Sequence, residues 1–364
     1  MHDEVDFVII NNTRRPRTGG DYVYTVMKNE LIRQGYKVFE VSVPLLIDYM
    51  KARDSTNSIG RICMVSAEIL AYFLCYLSSF KKFVHGSRLM ITSSCPTFPV
   101  FGHLTYHQPK AGMFTQFRKE SDSMKRKIGY KIEENETLSP MWLLVKNFIR
   151  LHLSNSNFTR ELVKKIYNVD SNVLYPPVPV HKHLRLDLYD KRKPCILIAR
   201  PEATTGISLL PEIAKYVSKN MKFIIIGNID RVGIRTLRVL KDAGTKFEYL
   251  GYVKEELKTE IFRRCSVYIN LAINEPFGIT VVEALAAGCV PISHNSGAIP
   301  EYLPQEFRYS NFDEAAEKVA MYINSKNELR KELRSIALKF EETSFRRRFM
   351  VFVQHLETLL KHKN

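Results

Sequence analysis

Short runs of apolar residues alternate with longer stretches of helical periodicity along most of the chain. The apolar runs predict strands over 5–10, 37–43, 89–92, 195–199, 223–226, 247–250, 267–271 and 290–293. The stretch 21–34 between the first two runs has the apolar spacing of a helix, and helical stretches also separate the later runs. Buried strands that alternate with helices indicate parallel sheets with crossover helices, so two such series predict two doubly wound α/β domains.

A proline-rich segment, Tyr175–Pro179, separates the two series. Prolines hold the chain extended and end helices, so we place the domain boundary there. The first domain then covers 1–176 and the second 177–340. The remaining residues, 341–364, predict one amphipathic helix over 345–362 whose apolar face carries Phe349, Phe352, Val353, Leu356 and Leu359.

Composition agrees with two globular domains, whereas the charge is unusual. Apolar residues make up 45% and charged residues 25% of the 364 residues, which excludes a disordered or fibrous chain. The formal net charge is +16. It divides equally between the halves on either side of residue 180, so it is not a basic tail. This excess favours an anionic partner, such as nucleotide phosphates, anionic lipid or nucleic acid.

Several classes of protein lack support. The six cysteines are scattered without a C-x-x-C pair, which argues against zinc-finger and thioredoxin proteins and favours a reduced cytosolic chain. The acidic start does not resemble a secretory signal, and no stretch reaches the roughly 18 uncharged apolar residues of a good membrane-spanning helix. The absence of an Asp-x-Asp motif, a His-rich cluster and a P-loop disfavours a metal-held diphosphate and an ATPase.

The segment 274–288, with the sequence NEPFGITVVEALAAG, carries the strongest chemical signal. It predicts a tight turn after a strand and a helix that begins near Ile279. Free N–H groups at a helix N-terminus bind phosphate, and a carboxylate at Glu283 can accept hydrogen bonds from a ribose diol. Glu275 precedes the turn and can face a sugar. Considered alone, the two glutamates favour a capped core helix with two solvated side chains, because isolated motif matches are weak.

The surroundings extend this motif. The segment 251–303 resembles the sugar-nucleotide half of a family-4 glycosyltransferase with the GT-B fold, in which two Rossmann-like domains face each other across a cleft. The resemblance continues upstream in 151–178, in Tyr106-His107-Gln108-Pro109 and in Thr18-Gly19-Gly20. Within the family, the sequence is nearest to the dolichol-linked oligosaccharide mannosyltransferases.

The resemblance implies a retaining, metal-independent sugar transfer without a cofactor. The donor is a nucleotide-diphosphate sugar, GDP-mannose or a UDP-sugar, and the acceptor is a glycan or a lipid-linked glycan. The first domain is expected to hold the acceptor and the second the nucleotide, with the C-terminal helix packing back on the first. The expected location is cytoplasmic, with attachment to the inner face of an anionic membrane as the further expectation.

The resemblance also assigns roles by matched position. His107, Arg200 and Glu275 form the expected catalytic set, in which Arg200 neutralises the leaving diphosphate and the other two face the donor sugar. Glu283 is expected to hold the ribose. The remaining donor-binding positions, in the first loop and the turn, are Gly19, Gly20, Phe277, Gly278, Ile279 and Thr280.

One departure from the family pattern affects the diphosphate site. The family carries an arginine and then a lysine as R-x-x-P-E-K-G, whereas this chain reads Ala199-Arg200-Pro201-Glu202-Ala203-Thr204-Thr205-Gly206. Arg200 is present and the lysine is not. The candidates for a substitute cation are Arg14, Arg15 and Arg17, and a solvated loop is the alternative reading of this cluster.

Two further segments and two rival functions remain open. The basic stretch 118–131 is either a solvated helix face or a surface that attracts anionic lipid or an acceptor phosphate. The aromatic stretch 62–83 is either a crossover helix or a helix that lies on a membrane. The missing lysine motivates a rival function, a catalytically weak nucleotide-sugar or polyanion-binding protein. A nucleic-acid binder fits the net charge, but no nucleic-acid motif accompanies it, so this partner is disfavoured.

Overall fold

The structure is a computed structural model that describes residues 6–11, 19–42, 88–93, 103–109, 149–184, 193–217, 221–325 and 327–361. The predictions made for Arg14, Arg15, Arg17 and the segments 62–83 and 118–131 lie outside these residues. Within the described part of the chain, no helix is long and apolar enough to cross a membrane.

Six parallel strands form the sheet of the first domain, in the order β2-β1-β3-β4-β5-β6. The strands are β1 (Phe7–Asn11), β2 (Val38–Ser42), β3 (Arg88–Ser93), β4 (Leu104–His107), β5 (Leu151–Ser154) and β6 (Asn172–Val173). Two helices of this domain are described, α1 (Gly19–Arg33) and α2 (Asn157–Tyr167). Crossovers that link neighbouring parallel strands place the carboxyl ends of β1, β4 and β5 at one edge of the sheet.

The second domain repeats this architecture, with six parallel strands in the order β12-β11-β10-β7-β8-β9. The strands are β7 (Lys193–Ala199), β8 (Lys222–Ile226), β9 (Phe247–Tyr249), β10 (Cys265–Asn270), β11 (Val290–His294) and β12 (Arg308–Tyr309). The helices are α3 (Val180–His183), α4 (Leu210–Tyr216), α5 (Arg231–Asp242), α6 (Glu255–Arg264), α7 (Ile279–Ala287), α8 (Phe312–Tyr322) and α9 (Asn327–Leu338). Short 3-10 turns cover Ala203–Thr205, Ile207–Leu209, Ile299–Glu301 and Gln305–Phe307.

The predicted fold class, two doubly wound α/β domains, is confirmed. Each predicted strand is present to within two residues at either end, because buried parallel strands form continuous apolar runs. The sequence reading missed β4, β5, β6 and β12. The first two have the sequences LTYH and LHLS, in which polar residues interrupt the apolar pattern although all four positions of each strand are buried.

The C-terminal helix, α10 (Glu342–Lys361), packs onto the first domain although it follows the second. Phe345, Phe349, Val353 and Leu356 lie in one apolar cluster with side chains of β1 and α1. Leu359, predicted on the same face, is 36% exposed, whereas the next residue, Leu360, packs against the cluster. The chain therefore crosses between the domains twice, once near residue 178 and once near residue 340.

The two crossings run side by side. The backbone N–H of Val178 donates to the carbonyl of Phe340 at 2.9 Å. The rings of Tyr175 and Phe340 meet edge to face with centroids 5.4 Å apart. The two connections between the domains are therefore joined by a backbone hydrogen bond and a ring contact.

A carboxylate of the second domain binds the N-terminus of α2 in the first domain. Glu301 accepts hydrogen bonds from the backbone N–H groups of Asn157 and Phe158, at 3.0 and 2.8 Å. The hydroxyl of Tyr175 donates to the same carboxylate at 2.7 Å. A negative charge at the first turn of a helix is favourable, since the unpaired N–H groups there carry partial positive charge.

We predict that Glu301→Ala destabilises the protein by about 1 to 3 kcal/mol, because it removes the acceptor for several hydrogen bonds to one charged group. Urea unfolding followed by circular dichroism measures the change. Glu317→Ala, at an exposed position of α8, is the matched control and should leave the midpoint unchanged. Equal midpoints for both variants would show that the contact contributes nothing to stability.

Candidate active site

Arg200 directly follows β7 and has a backbone conformation that a non-glycine residue seldom adopts, with φ of +56°. Its N–H donates to the carbonyl of Ile226 at 2.9 Å, and its carbonyl accepts from the N–H of Glu202 at 2.8 Å and from the hydroxyl of Thr205. These bonds hold the strained residue in place. Its side chain is 49% exposed, so the guanidinium remains accessible to a ligand.

Glu275 lies in the turn between β10 and α7, and only 6% of the residue is exposed. Its Oε2 atom is 3.5 Å from Nη2 of Arg200, yet it has no hydrogen-bond partner among the described residues. Burial raises the pKa of this carboxyl, and the charge of Arg200 and a hydrogen bond from the Gly278 N–H oppose the rise. A buried carboxylate oxygen without a donor is costly, so its position favours a ligand that brings hydroxyl groups.

The loop after β11 supports Glu275 from behind. The N–H of Ala298 donates to the carbonyl of Glu275 at 2.8 Å, and the N–H of Asn274 donates to the hydroxyl of Ser296 at 2.8 Å. At Gly297, where φ is +65°, a Cβ atom would lie 2.4 Å from the Glu275 carbonyl oxygen. Only glycine can lie so close to the turn at this position of the loop.

The turn ends at Gly278, where φ is +87° and a Cβ atom would lie 3.0 Å from the hydroxyl of Tyr302. Helix α7 begins at the next residue, Ile279, as the sequence predicts. The N–H of Gly278 serves Glu275, so the first N–H groups open to a ligand are those of Ile279 and Thr280.

Phe277 does not offer its ring to the cleft. It is buried among Tyr175, Tyr302 and Phe340, with ring centroids 5.2 to 5.9 Å away. Its carbonyl accepts from the hydroxyl of Tyr302 at 2.7 Å. Phe277 therefore anchors the turn, and any contact with a donor would come from its backbone.

The first loop meets this turn from the opposite domain. Gly19 begins α1, and a Cβ atom there would lie 2.7 Å from Cδ1 of Ile279. Gly20 follows within the same helical turn. The glycine pair at the start of α1 therefore lies near the N-terminus of α7 in the second domain. The family resemblance predicts the donor phosphates at this place.

Glu283 lies on the second turn of α7, and its side chain is 5% exposed. The ammonium group of Lys258, on α6, donates to Oε1 of Glu283 at 2.9 Å and also pairs with Glu255 at 3.0 Å. Burial alone would lower the pKa of Lys258, but the two carboxylates outweigh it and raise the pKa above its ordinary value. The carboxylates of Glu275 and Glu283 both raise the pKa of Arg200. Together with Lys258, these three side chains form one electrostatic cluster.

The sequence reading missed Lys258. One signal for it was available: Lys258 stands four residues before Phe262, which is fully buried, so the two lie on the same face of α6. A lysine on the buried stripe of a helix requires a partner, and the acidic residues of its own helix and of the segment with Glu283 are candidates.

His107 is buried at the carboxyl end of β4, on the first-domain side. Its Nε2 atom lies 3.1 Å from Nδ1 of His152 on β5, and the two rings are stacked. Burial lowers the pKa of both imidazoles, to about 3 for His107 and about 4 for His152, and their proximity adds to the effect on His107. Both rings are therefore neutral near pH 7 and can donate or accept one hydrogen bond per nitrogen.

The position of the missing lysine is closed to a long side chain. Ala203 is fully buried, and its N–H donates to Asp230 at 3.0 Å. Lys215, the next lysine along the chain, is exposed and pairs with Glu212 at 2.8 Å, so it does not replace the lost charge. Lys258 is the cation that the described residues bring into the cluster of Arg200 and the two glutamates.

The chain is similar in sequence to known proteins. Residues 183–340 match the family described as glycosyl transferases group 1. The chain is 24% identical over 310 residues to the "GDP-Man:Man(3)GlcNAc(2)-PP-Dol alpha-1,2-mannosyltransferase" of Dictyostelium discoideum, covering 71% of this chain and 61% of that protein. The Homo sapiens protein of the same name is 27% identical over 237 residues, covering 56% of this chain and 48% of that protein. The chain thus spans about half to three fifths of the length of these relatives.

A solved structure shows the same architecture. The sucrose-phosphate synthase of Thermosynechococcus elongatus superposes with a TM-score of 0.73 at 12% identity, covering 98% of this chain and 100% of that chain. At this identity the likeness concerns the fold alone. The chain therefore has the GT-B fold, and residues 183–340 of its second domain match the glycosyl transferases group 1 family.

Proposed function

We propose that the chain transfers a sugar from a nucleotide-diphosphate donor to a glycan or a lipid-linked glycan, with GDP-mannose as the favoured donor. The observation that carries this proposal is the unpartnered Oε2 of Glu275, buried 3.5 Å from the guanidinium of Arg200. A planar cation suits a diphosphate, and a buried carboxylate beside it suits the hydroxyl groups of the attached sugar.

The surrounding groups support the same arrangement of the donor. The N–H groups of Ile279 and Thr280, next to Gly19 of the other domain, provide positive potential for the phosphates. Glu283 is in position to accept hydrogen bonds from the ribose. The carboxyl edge of a parallel sheet is where doubly wound domains bind nucleotides, and all these groups lie at that edge.

The proposed chemistry is a retaining transfer without a metal cofactor. As the glycosidic bond breaks, the leaving diphosphate gains negative charge, which Arg200 and the N-terminus of α7 stabilise. An oxygen of the departing diphosphate takes the proton from the attacking acceptor hydroxyl on the same face of the sugar. The names of the relatives support GDP-mannose and a dolichol-linked acceptor. The net charge of +16 supports binding to an anionic membrane surface. The proposed location is the cytoplasmic face of that membrane.

A panel of radiolabelled nucleotide sugars tests the proposal, with GDP-mannose, UDP-glucose and UDP-N-acetylglucosamine offered alone and with a lipid-linked glycan. Hydrolysis or transfer from one donor supports the enzyme. The buried Ala203 in place of a lysine favours the second candidate, a weak binding protein. Donor binding without turnover would select that candidate.

We predict that Glu275→Gln lowers transfer roughly 100-fold while it raises the melting temperature. The raised pKa means that the folded state holds the proton more tightly than the unfolded state, so the charged form costs stability above the ordinary pKa of 4.5. The neutral amide removes that cost.

Calorimetry at several pH values measures this effect. The difference in melting temperature between Glu275→Gln and the parent should grow as the pH rises above 4.5 and vanish at lower pH. A variant that is less stable than the parent at pH 7 would contradict the burial argument.

We predict that His107→Asn lowers turnover by roughly 10-fold or more and leaves GDP affinity within a few-fold, because His107 belongs to the domain opposite the nucleotide. Asparagine retains a polar partner for His152. Initial rates and calorimetric titration with GDP separate the two effects, and His355→Asn, at an exposed position of α10, is the control. An equal loss of GDP affinity would place His107 elsewhere.

We also propose that Arg14, Arg15 or Arg17 supplies the missing cation when the domains close. Each is replaced by alanine in turn, and one variant should lose roughly 100-fold in turnover, as when a single charge-stabilising donor is removed. Three variants within a few-fold of the parent would exclude the loop from the diphosphate site.

A further inference from the structure

We propose that Lys258 is a positioning residue of the nucleotide site, which orients the Glu283 carboxylate so that one of its oxygens remains available to the ribose of the donor. This inference rests on the proposed function, and it adds a residue that determines selectivity for a ribonucleotide.

The geometry divides the two oxygens of Glu283. Oε1 accepts from the ammonium of Lys258 at 2.9 Å. Among the described residues, no hydrogen bond reaches Oε2 of Glu283. Because the carboxylate is planar, a bond to one oxygen also fixes the direction of the other. The contact with Lys258 therefore orients the free oxygen without occupying it.

The burial of Glu283 requires a counter-charge. Its side chain is 5% exposed, whereas Arg200 pairs with Glu275 and lies nearer to that carboxylate. Among the described residues, Lys258 is the cation in contact with this buried carboxylate. The ion pair holds the carboxylate in one orientation, which ribose recognition needs.

A purely structural ion pair between α6 and α7 is the alternative. Lys258 also pairs with Glu255, one turn earlier on its own helix, and this contact alone would satisfy the ammonium. The two roles differ in one measurable respect. An ion pair that only stabilises packing affects all nucleotides equally, whereas a positioning residue affects the ribose hydroxyls selectively.

The experiment is a calorimetric titration of the full chain with GDP, 2′-deoxy-GDP and 3′-deoxy-GDP, and with the uridine analogues. The variants are Lys258→Met, Lys258→Arg, Glu283→Gln and the double variant Lys258→Met with Glu283→Gln. Lys215→Met is the matched control, because Lys215 also pairs with a glutamate one turn earlier on its helix but lies outside the site. Lys258→Gln provides a second variant if the methionine impairs folding, which circular dichroism reports.

The parent should prefer GDP to one of the deoxy analogues by roughly 10- to 100-fold, the range expected for hydrogen bonds to a charged group. Lys258→Met should lose most of this preference and bind the deoxy analogue almost as the parent does. Lys258→Arg should restore the preference. In the Glu283→Gln background the methionine should have no further effect, because the two residues act as one unit.

Three results would overturn the inference. An unchanged ribose preference in Lys258→Met would show that Glu283 needs no positioning. Equal losses for GDP and both deoxy analogues would assign Lys258 to packing alone. Additive losses in the double variant would mean that Lys258 acts independently of Glu283. If the parent binds neither guanosine nor uridine diphosphate, the proposed function itself fails and the inference with it.

Discussion

A buried carboxylate with one nearby cation determines how the second domain is built around its site. Glu275 costs energy where it stands, because burial opposes its charge and its Oε2 lacks a donor. Two residues of the site have a positive φ, which non-glycine residues seldom adopt: Arg200 itself and Asn274, the residue before Glu275. Such strain is retained only where the surroundings impose it, and here those surroundings are the hydrogen bonds of two loops.

The same constraint explains the order of small residues near the site. Gly297 lies closer to the backbone of Glu275 than a Cβ atom would allow, and Gly278 has a positive φ that favours glycine. Between the domains, a Cβ atom at Gly19 would lie 2.7 Å from Cδ1 of Ile279. Gly297 and Gly278 thus shape the turn that holds Glu275, and Gly19 lets the first domain approach the start of α7.

Sequence reasoning reached the fold and the motif but not their assembly. Strands such as β7 and β10 form apolar runs, so their presence was predictable, whereas β4 and β5 combine histidine and threonine with few apolar residues and were missed. The proximity of Arg200 to Glu275 depends on the order of strands in the sheet, in which β7 and β10 are neighbours although two strands separate them in sequence. Spacing along the chain carries no record of that order. The family resemblance instead assigned Arg200 and Glu275 to the same donor.

The charges of the site fall into two pairs, and this division bears on the lost lysine. Arg200 stands beside Glu275, and Lys258 contacts Glu283, so each buried carboxylate has its own cation. With Ala203 buried where the family has lysine, the described residues leave the half-exposed Arg200 as the cation of this cluster that can turn to a diphosphate. A second phosphate charge must then be met by backbone N–H groups or by the arginines of the first loop. The N–H groups at the start of α7 lie where Ile279 meets Gly19 of the other domain. We therefore propose that neutralising the leaving group depends on contact between the domains and that domain closure is coupled to the chemistry.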